Sequence, residues 1–399
     1  AGPGGMRMAG TEIFGAEEIN AVTDVIERKM IHRYGSHAVR NGIYRTEEFE
    51  EKAKGITGSK YALAVSNGTA ALIVALKGLG VGPGDEVITS PFTFIATIEA
   101  IVACGAVPVL GEIDGTLGLD PVSAEKLITE RTKALMPVHM FGAAADLDAF
   151  MDISKIYGIP VIEDACEVVG GTYRGRFLGS VGKCGTWSFD PNKTLTVGEG
   201  GIVFTDDEDL WFRMDCYHDH GHIHSKEHDR GQEGKFGLGV NYRLSELQGA
   251  LGSVALDKMD SALGKMRATK KRILDAVKDT GIKPRPMHDD EGDTASHLIF
   301  MLPSAEAAVM FRKAAAEAGA GFGIISENTW HFAKHWKALE EMGGKDIFGT
   351  KAPSYAPETM ADADAILGRA VMTGLNINMN DEEVERIIAS VKIGAKACL

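Results

Sequence analysis

The stretch Thr186-Trp-Ser-Phe-Asp-Pro-Asn-Lys193-Thr-Leu-Thr-Val-Gly-Glu-Gly-Gly201 decides how this chain is read. A short β-prone run delivers Lys193 onto a loop. Gly198, Gly200 and Gly201 then turn the chain into a second run, Ile202-Val-Phe-Thr205. Pro191 before the lysine and the glycines after it oppose a helix and favour a tight turn with exposed backbone. A solvated lysine on a surface hairpin would look the same locally, so the surrounding residues must decide.

Upstream, apolar runs alternate with helical patterns. Strands are expected at 61–65, 86–90, 107–110, 134–138 and 159–164, each trailed by a helix, the helices ending near 79, 104, 128 and 157. Continuous apolar strands separated by helices imply an α/β fold with a mostly parallel sheet covered on both faces. Ligands gather beyond the carboxyl ends of such strands.

Outside this region, an amphipathic helix is expected over 15–30, with Ile19, Val22 and Ile26 on one side, and an irregular connection over 31–44. One long helical stretch is expected from 244 to about 279. A strand at 297–302 and helices at 305–318 and 381–395 then suggest a smaller α/β domain. The expected domain spans are 1–250 and 251–399. The segment 330–357, with its aromatics, Pro and Gly, reads as an insertion able to fold over the active site.

The balance of 42 basic against 56 acidic residues gives a formal charge of −14, which argues against general binding to nucleic acid or to an anionic membrane. No apolar run approaches the roughly 20 residues a membrane helix needs. Cys104, Cys166, Cys184, Cys216 and Cys398 are scattered and odd in number, as expected of reduced thiols in a cytoplasmic protein. The start, Ala1-Gly-Pro-Gly-Gly5, lacks the basic and apolar regions of a signal peptide.

Two strand-end loops look chemical. In Ser66-Asn-Gly-Thr69 a glycine and hydroxyls open a helix, where free amides favour a phosphate, although Ser and Thr also cap helices everywhere. Glu163-Asp164 places two acids at the end of an otherwise apolar strand. Phosphate donors at Gly68 and Thr69, a carboxylate at Asp164 and an amine at Lys193 together meet the demands of pyridoxal 5′-phosphate. The carboxylate would keep the ring nitrogen protonated, and the lysine, neutral when it attacks, could later move a proton.

These pieces, with Gly84-Asp-Glu-Val87, Pro91-Phe-Thr-Phe94, Glu163-Asp-Ala165, Ser188-Phe-Asp-Pro-Asn-Lys193, Gly198-Glu-Gly-Gly201 and Gly239-Val-Asn-Tyr-Arg-Leu-Ser-Glu246, fall in one order. In that order the chain resembles the DegT/DnrJ/EryC1/StrS family of sugar aminotransferases from about Phe14 to Val391. The resemblance implies an aspartate-aminotransferase-like fold (pyridoxal phosphate fold type I), with a three-layer α/β/α large domain and a smaller C-terminal one. It implies that Lys193 forms the Schiff base, Asp164 pairs with the ring nitrogen, Phe94 stacks on the ring and Gly68, Thr69 and Ser188 hold the phosphate. Asn241 would reach that phosphate from a neighbouring subunit, giving a homodimer with shared sites, or a tetramer. Two positions depart from the common pattern. Glu167 stands near the cofactor where Gln or His is usual, and Asp190 where His is usual.

The resemblance also implies an amino-acid donor, usually glutamate, and a carbonyl sugar as acceptor. The loop Asp219-His-Gly-His-Ile-His224 with His228-Asp-Arg230 is similar to the 8-amino-3,8-dideoxy-manno-octulosonate aminotransferase branch, which aminates the C8 aldehyde of an oxidised octulosonate destined for lipopolysaccharide. His220, His222, Arg230, Arg243 and His331 are the expected substrate contacts, and Lys226 adds to the basic rim. No metal is expected despite the histidines, because fixed ligand spacing is missing. A nucleotide-linked keto-sugar is the alternative acceptor. A sugar dehydratase of the same family would carry His in place of Lys193, and a cofactor-binding regulator would need a DNA-reading segment, which is not visible.

Overall fold

The computed structural model describes residues 9–225, 227–228, 230–347 and 349–399; the glycine-rich start at 1–5, Lys226 and Asp229 lie outside them. Seven strands form the large sheet: β1 Tyr61–Val65, β2 Glu86–Thr89, β3 Val107–Leu110, β4 Thr132–Leu135, β5 Ile162–Asp164, β6 Cys184–Ser188 and β7 Gly201–Thr205. The order β3-β2-β4 joins β5-β6-β7-β1 through the parallel bridges Leu135↔Val161 and Val138↔Asp164. All pairings are parallel except those of β7, which runs antiparallel to both β6 and β1. The exception has a local cause. The loop bearing Lys193 returns the chain directly beside β6, pairing Ser188 with Gly201, with no helical crossover to restore the direction.

Alternation along β1 sends Ala62 and Ala64 into one core and Leu63 and Val65 into another, so the sheet is covered on both faces. The helix Gly68–Gly78 is buried along nearly its whole circumference, as its apolar sequence requires. It meets β6, β7 and the helices Ile95–Ala103 and Glu208–His218. Its first residue sits tightly: a Cβ on Gly68 would lie 2.8 Å from the Ser188 Cβ. A Cβ on Gly201 would lie 2.4 Å from the Asn67 carbonyl oxygen.

Three expectations are corrected. Helix Ala16–Arg28 buries Glu18 and Val25, while Ile19 and Ile26 face outward at 68% and 59% exposure. Its rotation is fixed by Glu18, which accepts the Gly15 amide (2.7 Å) and the Lys258 ammonium (2.7 Å). The expected helix at 244–279 is two helices, Glu246–Asp257 and Met259–Val277, broken at Lys258. The break serves two sets of neighbours, since the first half meets helices Ala16–Arg28 and Arg45–Thr57, and the second meets Asp381–Cys398. Position 250 lies within the first of these helices.

The segment at 330–357 is no loose insertion either. Phe332, Trp336, Leu339, Ala352 and Tyr355 are buried against Phe92 and Ile98, and the Tyr355 hydroxyl donates to Pro108 O (2.6 Å). Its first residues do reach the strand ends of the large sheet. The connection at 31–44 is irregular apart from the short helix His37–Arg40.

The C-terminal sheet runs β8-β9-β11-β10, with β8 Lys283–Pro284, β9 His297–Met301, β10 Gly323–Ile324 and β11 Ala370–Gly374, antiparallel throughout. Its core also takes in helices Ala305–Glu317 and Asp381–Cys398. No helix among the described residues is long and apolar enough to cross a membrane.

The contact at Gly201 yields a stability test. A methyl group there must displace backbone, so Gly201→Ala is expected to cost about 2–3 kcal/mol in urea unfolding. An unchanged midpoint and slope would show that the β7–Asn67 contact is looser than described.

Candidate functional site

Neighbouring acids at the end of β5 point to opposite faces of the sheet and do different work. Glu163, fully buried, accepts the amides of Gly179 (2.8 Å), Val181 (2.6 Å) and Gly182 (2.6 Å) and faces His139 Nε2 (3.2 Å). His139 Nδ1 accepts the Ala145 amide (3.0 Å), so its ring proton sits on Nε2 and is donated to Glu163. Glu163 is thus a fastening for the loop at 179–182.

Asp164, also buried, accepts the Thr97 hydroxyl on Oδ2 (2.6 Å) and the Cys166 amide on Oδ1 (3.2 Å). Thr97 escaped the sequence reading. It lies three residues after Phe94, on the same helical face, and that spacing was the available signal. Burial first, then the Asp164 carboxylate, pushes the Cys166 thiol well above its ordinary range, with Lys193 acting in the opposite direction. Cys166 therefore has the acid and the amine as near neighbours.

Lys193 is presented by a turn that Asp190 builds: the Lys193 amide donates to Asp190 O (3.0 Å) and the Asn192 amide to Asp190 Oδ1 (2.9 Å). Gly10 donates its amide to Lys193 O (3.1 Å), seating the N-terminal segment on this loop. The Lys193 ammonium lies 3.1 Å from Glu167 Oε1 and 6.0 Å from the centre of the Phe94 ring. His331 Nε2 approaches the same Glu167 oxygen at 3.2 Å. Burial acts to lower the Lys193 pKa, but the Glu167 carboxylate, with Cys166 and Asp190, outweighs it and leaves the amine above its ordinary value. For Glu167 burial acts to raise the pKa, yet Lys193 and His331 hold the carboxyl well below its usual range.

A third corner is made of backbone. The Asn67 side chain caps the Ala70 amide (2.8 Å), and the Gly68 and Thr69 amides precede it in the first helical turn, where helix geometry provides no acceptor. Ser188 faces them, its Oγ 2.9 Å from where a Gly68 Cβ would stand, with Cys166 Sγ at 3.2 Å. Only glycine permits that approach. Amides at a helix N-terminus, a hydroxyl, a buried acid and an amine suit the phosphate, ring nitrogen and aldehyde of pyridoxal phosphate, so the residues present fit that cofactor.

Aromatic groups close the site. Phe94 lies parallel to Trp330 (6.2 Å between centroids, 7° between planes) and 5.5 Å from His331. Phe141, in a left-handed conformation at φ 51°, contacts His331 (5.0 Å) and His297 (4.4 Å). Burial lowers the His297 pKa to about 4. Phe141 and His297 carried no signal in the sequence, because they come from separate segments that meet only in the fold; Trp330 opens the segment expected to fold over the site.

The remaining expected residues gather elsewhere. Arg230 and Arg243 both bind Asp219, the former through Nε at 3.1 Å. His222 Nδ1 lies 3.1 Å from Glu233. His220 is exposed at φ 54°, and Asn241 is exposed, its side chain accepting the Arg243 amide (3.4 Å). His224 lies between Asp215 (2.7 Å) and Asp219 (3.0 Å) and stacks on Tyr34 (3.7 Å). Burial acts to lower its pKa, but the two carboxylates raise it to about 9. Of the five expected substrate contacts, His331 alone joins the Lys193 group. Among the described residues no group of three or more His, Cys, Asp or Glu side chains could hold a metal ion.

The profile of the DegT/DnrJ/EryC1/StrS aminotransferase family matches residues 13–392. The GDP-perosamine synthase of Caulobacter vibrioides is 42% identical over 229 residues, 57% of this chain and 59% of that protein, so the match spans less than two thirds of the relative. The spore coat polysaccharide biosynthesis protein SpsC of Bacillus subtilis is 36% identical over 292 residues, 72% of this chain and 73% of that one. Among solved structures, the aminotransferase from Psychrobacter cryohalolentis superposes with a TM-score of 0.80 at 28% identity, over 95% of this chain and 96% of the other.

Glu163 offers a test of the site's foundation. Glu163→Gln replaces one acceptor oxygen by a donor facing buried amides, so about 2–4 kcal/mol of stability should be lost in urea unfolding. A change below 0.5 kcal/mol, the ordinary range for a surface substitution of roughly that size, would remove Glu163 from this role.

Proposed function

The chain belongs to the DegT/DnrJ/EryC1/StrS aminotransferase family, and from that premise we propose that it moves an amino group from an amino acid, L-glutamate first among the candidates, to a carbonyl sugar with pyridoxal phosphate as cofactor. One observation carries the reading: an amine, a buried acid and a glycine-only amide corner converge around Cys166 at the strand ends. Lys193 is proposed to take the cofactor aldehyde, Asp164 the ring nitrogen, Phe94 a ring face, and Gly68, Thr69 and Ser188 the phosphate. When bound, the cofactor supplies an electron sink for the carbon that loses its proton.

The chain's own residues do the remainder. Thr97 donates to one Asp164 oxygen and so orients the carboxylate toward a cationic ring N–H. Lys193, once neutral, holds the proton that moves between carbon atoms. Phe94 and Trp330 limit water at the mouth of the site. Asn241, exposed on its own subunit, is proposed to reach the phosphate of a second copy, making a homodimer with shared sites.

Two acceptors are in play. The octulosonate aldehyde rests on the similarity of the loop from Asp219 to Arg230 to that branch, whose basic side chains would suit a sugar carboxylate. Arg230 and Arg243 already spend their charge on Asp219, and the relative from Caulobacter is named for a GDP-linked product. The first point takes two expected contacts away from a sugar carboxylate, the second favours a nucleotide-linked keto-sugar, and the octulosonate remains the second acceptor to be assayed.

Lys193→Ala should lower turnover by roughly a thousandfold or more, and Asp164→Asn by at least about a hundredfold. Full turnover by Lys193→Ala would sink the aminotransferase reading. Loading the protein with the aminated cofactor and offering acceptors should return the visible absorbance with nucleotide-linked keto-hexoses. A response confined to the oxidised octulosonate would reverse the choice of substrate.

A further inference from the structure

Glu167 occupies a position that the proposed chemistry leaves without a task, yet its geometry is specific. Two nitrogen donors converge on one of its oxygens, Lys193 Nζ at 3.1 Å and His331 Nε2 at 3.2 Å on Oε1. His331 is itself aimed. Asn328 Oδ1 accepts the amides of Trp330 (2.9 Å) and His331 (3.1 Å), which marks that atom as oxygen, and faces His331 Nδ1 at 3.2 Å. Both ring nitrogens therefore face acceptors, and one proton must lie between Nε2 and Oε1. The lysine and the imidazole compete for the same negative charge.

Resting on the reading of Lys193 as the cofactor amine, we propose that Glu167 is a positioning residue that holds the proton on Lys193 in the free protein, and that His331 moderates this hold by drawing on the same oxygen. Nucleophilic attack requires that proton to leave: the Nζ–H bond breaks, the proton passes to solvent water as an O–H bond, and the electron pair stays on nitrogen. The other groups facing the pair are Cys166 on the same loop, Asp190 at the base of the lysine turn and His297 on β9. Cys166 and Asp190 act on Lys193 in the same direction as Glu167, and His297 acts on Glu167. The raised pKa of Lys193 agrees with this arrangement, since its largest favourable contribution comes from Glu167. A Gln or His at position 167 would hold the amine less strongly, so this chain should capture its cofactor more slowly near neutral pH than it would with a neutral side chain there.

The two partners give opposite signs, which a structural role would not. Cofactor-free, full-length protein is acetylated with acetic anhydride across an alkaline pH series, and the Lys193 peptide is quantified by mass spectrometry. Glu167→Gln should lower the labelling midpoint by about one pH unit or more, because an anion is removed from beside a buried ammonium. His331→Phe, which removes the ring N–H that competes for Glu167 Oε1, should raise it. Glu167→Asp, the substitute should the Gln variant misfold, should lie between wild type and a full loss. An unchanged midpoint in the Glu167 variants, or a fall in His331→Phe, overturns the proposal. The readout needs no cofactor: shifted labelling with no binding of pyridoxal phosphate would sink the proposed function alone, and unshifted labelling in an active enzyme would sink this proposal alone.

Discussion

Gly201 opens β7 so close to Asn67 that no side chain fits between them, and the active-site architecture depends on that contact. It lets the chain reverse after Lys193 and lie directly between β6 and β1. The reversal places the lysine loop beside the helix that starts at Gly68, and Gly68 in turn lies against Ser188 with no space for a Cβ. Two glycines thus bring an amine-bearing loop and a set of free amides to the same sheet edge. Elsewhere a helical crossover would have carried the chain away from it.

Electrostatics then divides labour among acids that look alike in sequence. Glu163 spends its charge on three amides and a histidine, Asp164 on a threonine hydroxyl and one amide, and Glu167 on an ammonium and an imidazole. Strand alternation explains the first division, since adjacent residues cannot share a face. The second follows from position, because Glu167 lies beyond the strand, where Lys193 and the segment containing His331 converge. Asp219 is a fourth case, sitting under Arg230, Arg243 and His224, where burial acts to raise its pKa and those cations hold it far below its usual range. A basic loop that carries its own counter-ions projects little positive charge.

The sequence revealed those features that depend on short-range pattern. Apolar runs separated by helices gave the parallel sheet, and the order of short motifs pointed to Lys193, Asp164, Gly68 and Ser188. Features set by distant partners were less visible. Ile19, Val22 and Ile26 form an apolar stripe, but a half-buried salt bridge from Lys258 to Glu18 turns the neighbouring face, with Val25, inward. The helical pattern after residue 244 continues through Lys258, yet two separate sets of neighbours divide it. Phe141 and His297 join the site from separate segments, and no local signal announces a contact across such separations. His222 looked basic in sequence because its partner, Glu233, lies further along a loop.

The central claim is that one lysine of this chain engages the cofactor. It is tested most directly by loading the purified protein with pyridoxal phosphate, fixing it with borohydride and mapping the labelled peptide. The account predicts a single phosphopyridoxyl group on Lys193, with the label lost in Asp164→Asn or greatly reduced. Label on another lysine, or stoichiometric binding with no label at all, would contradict it.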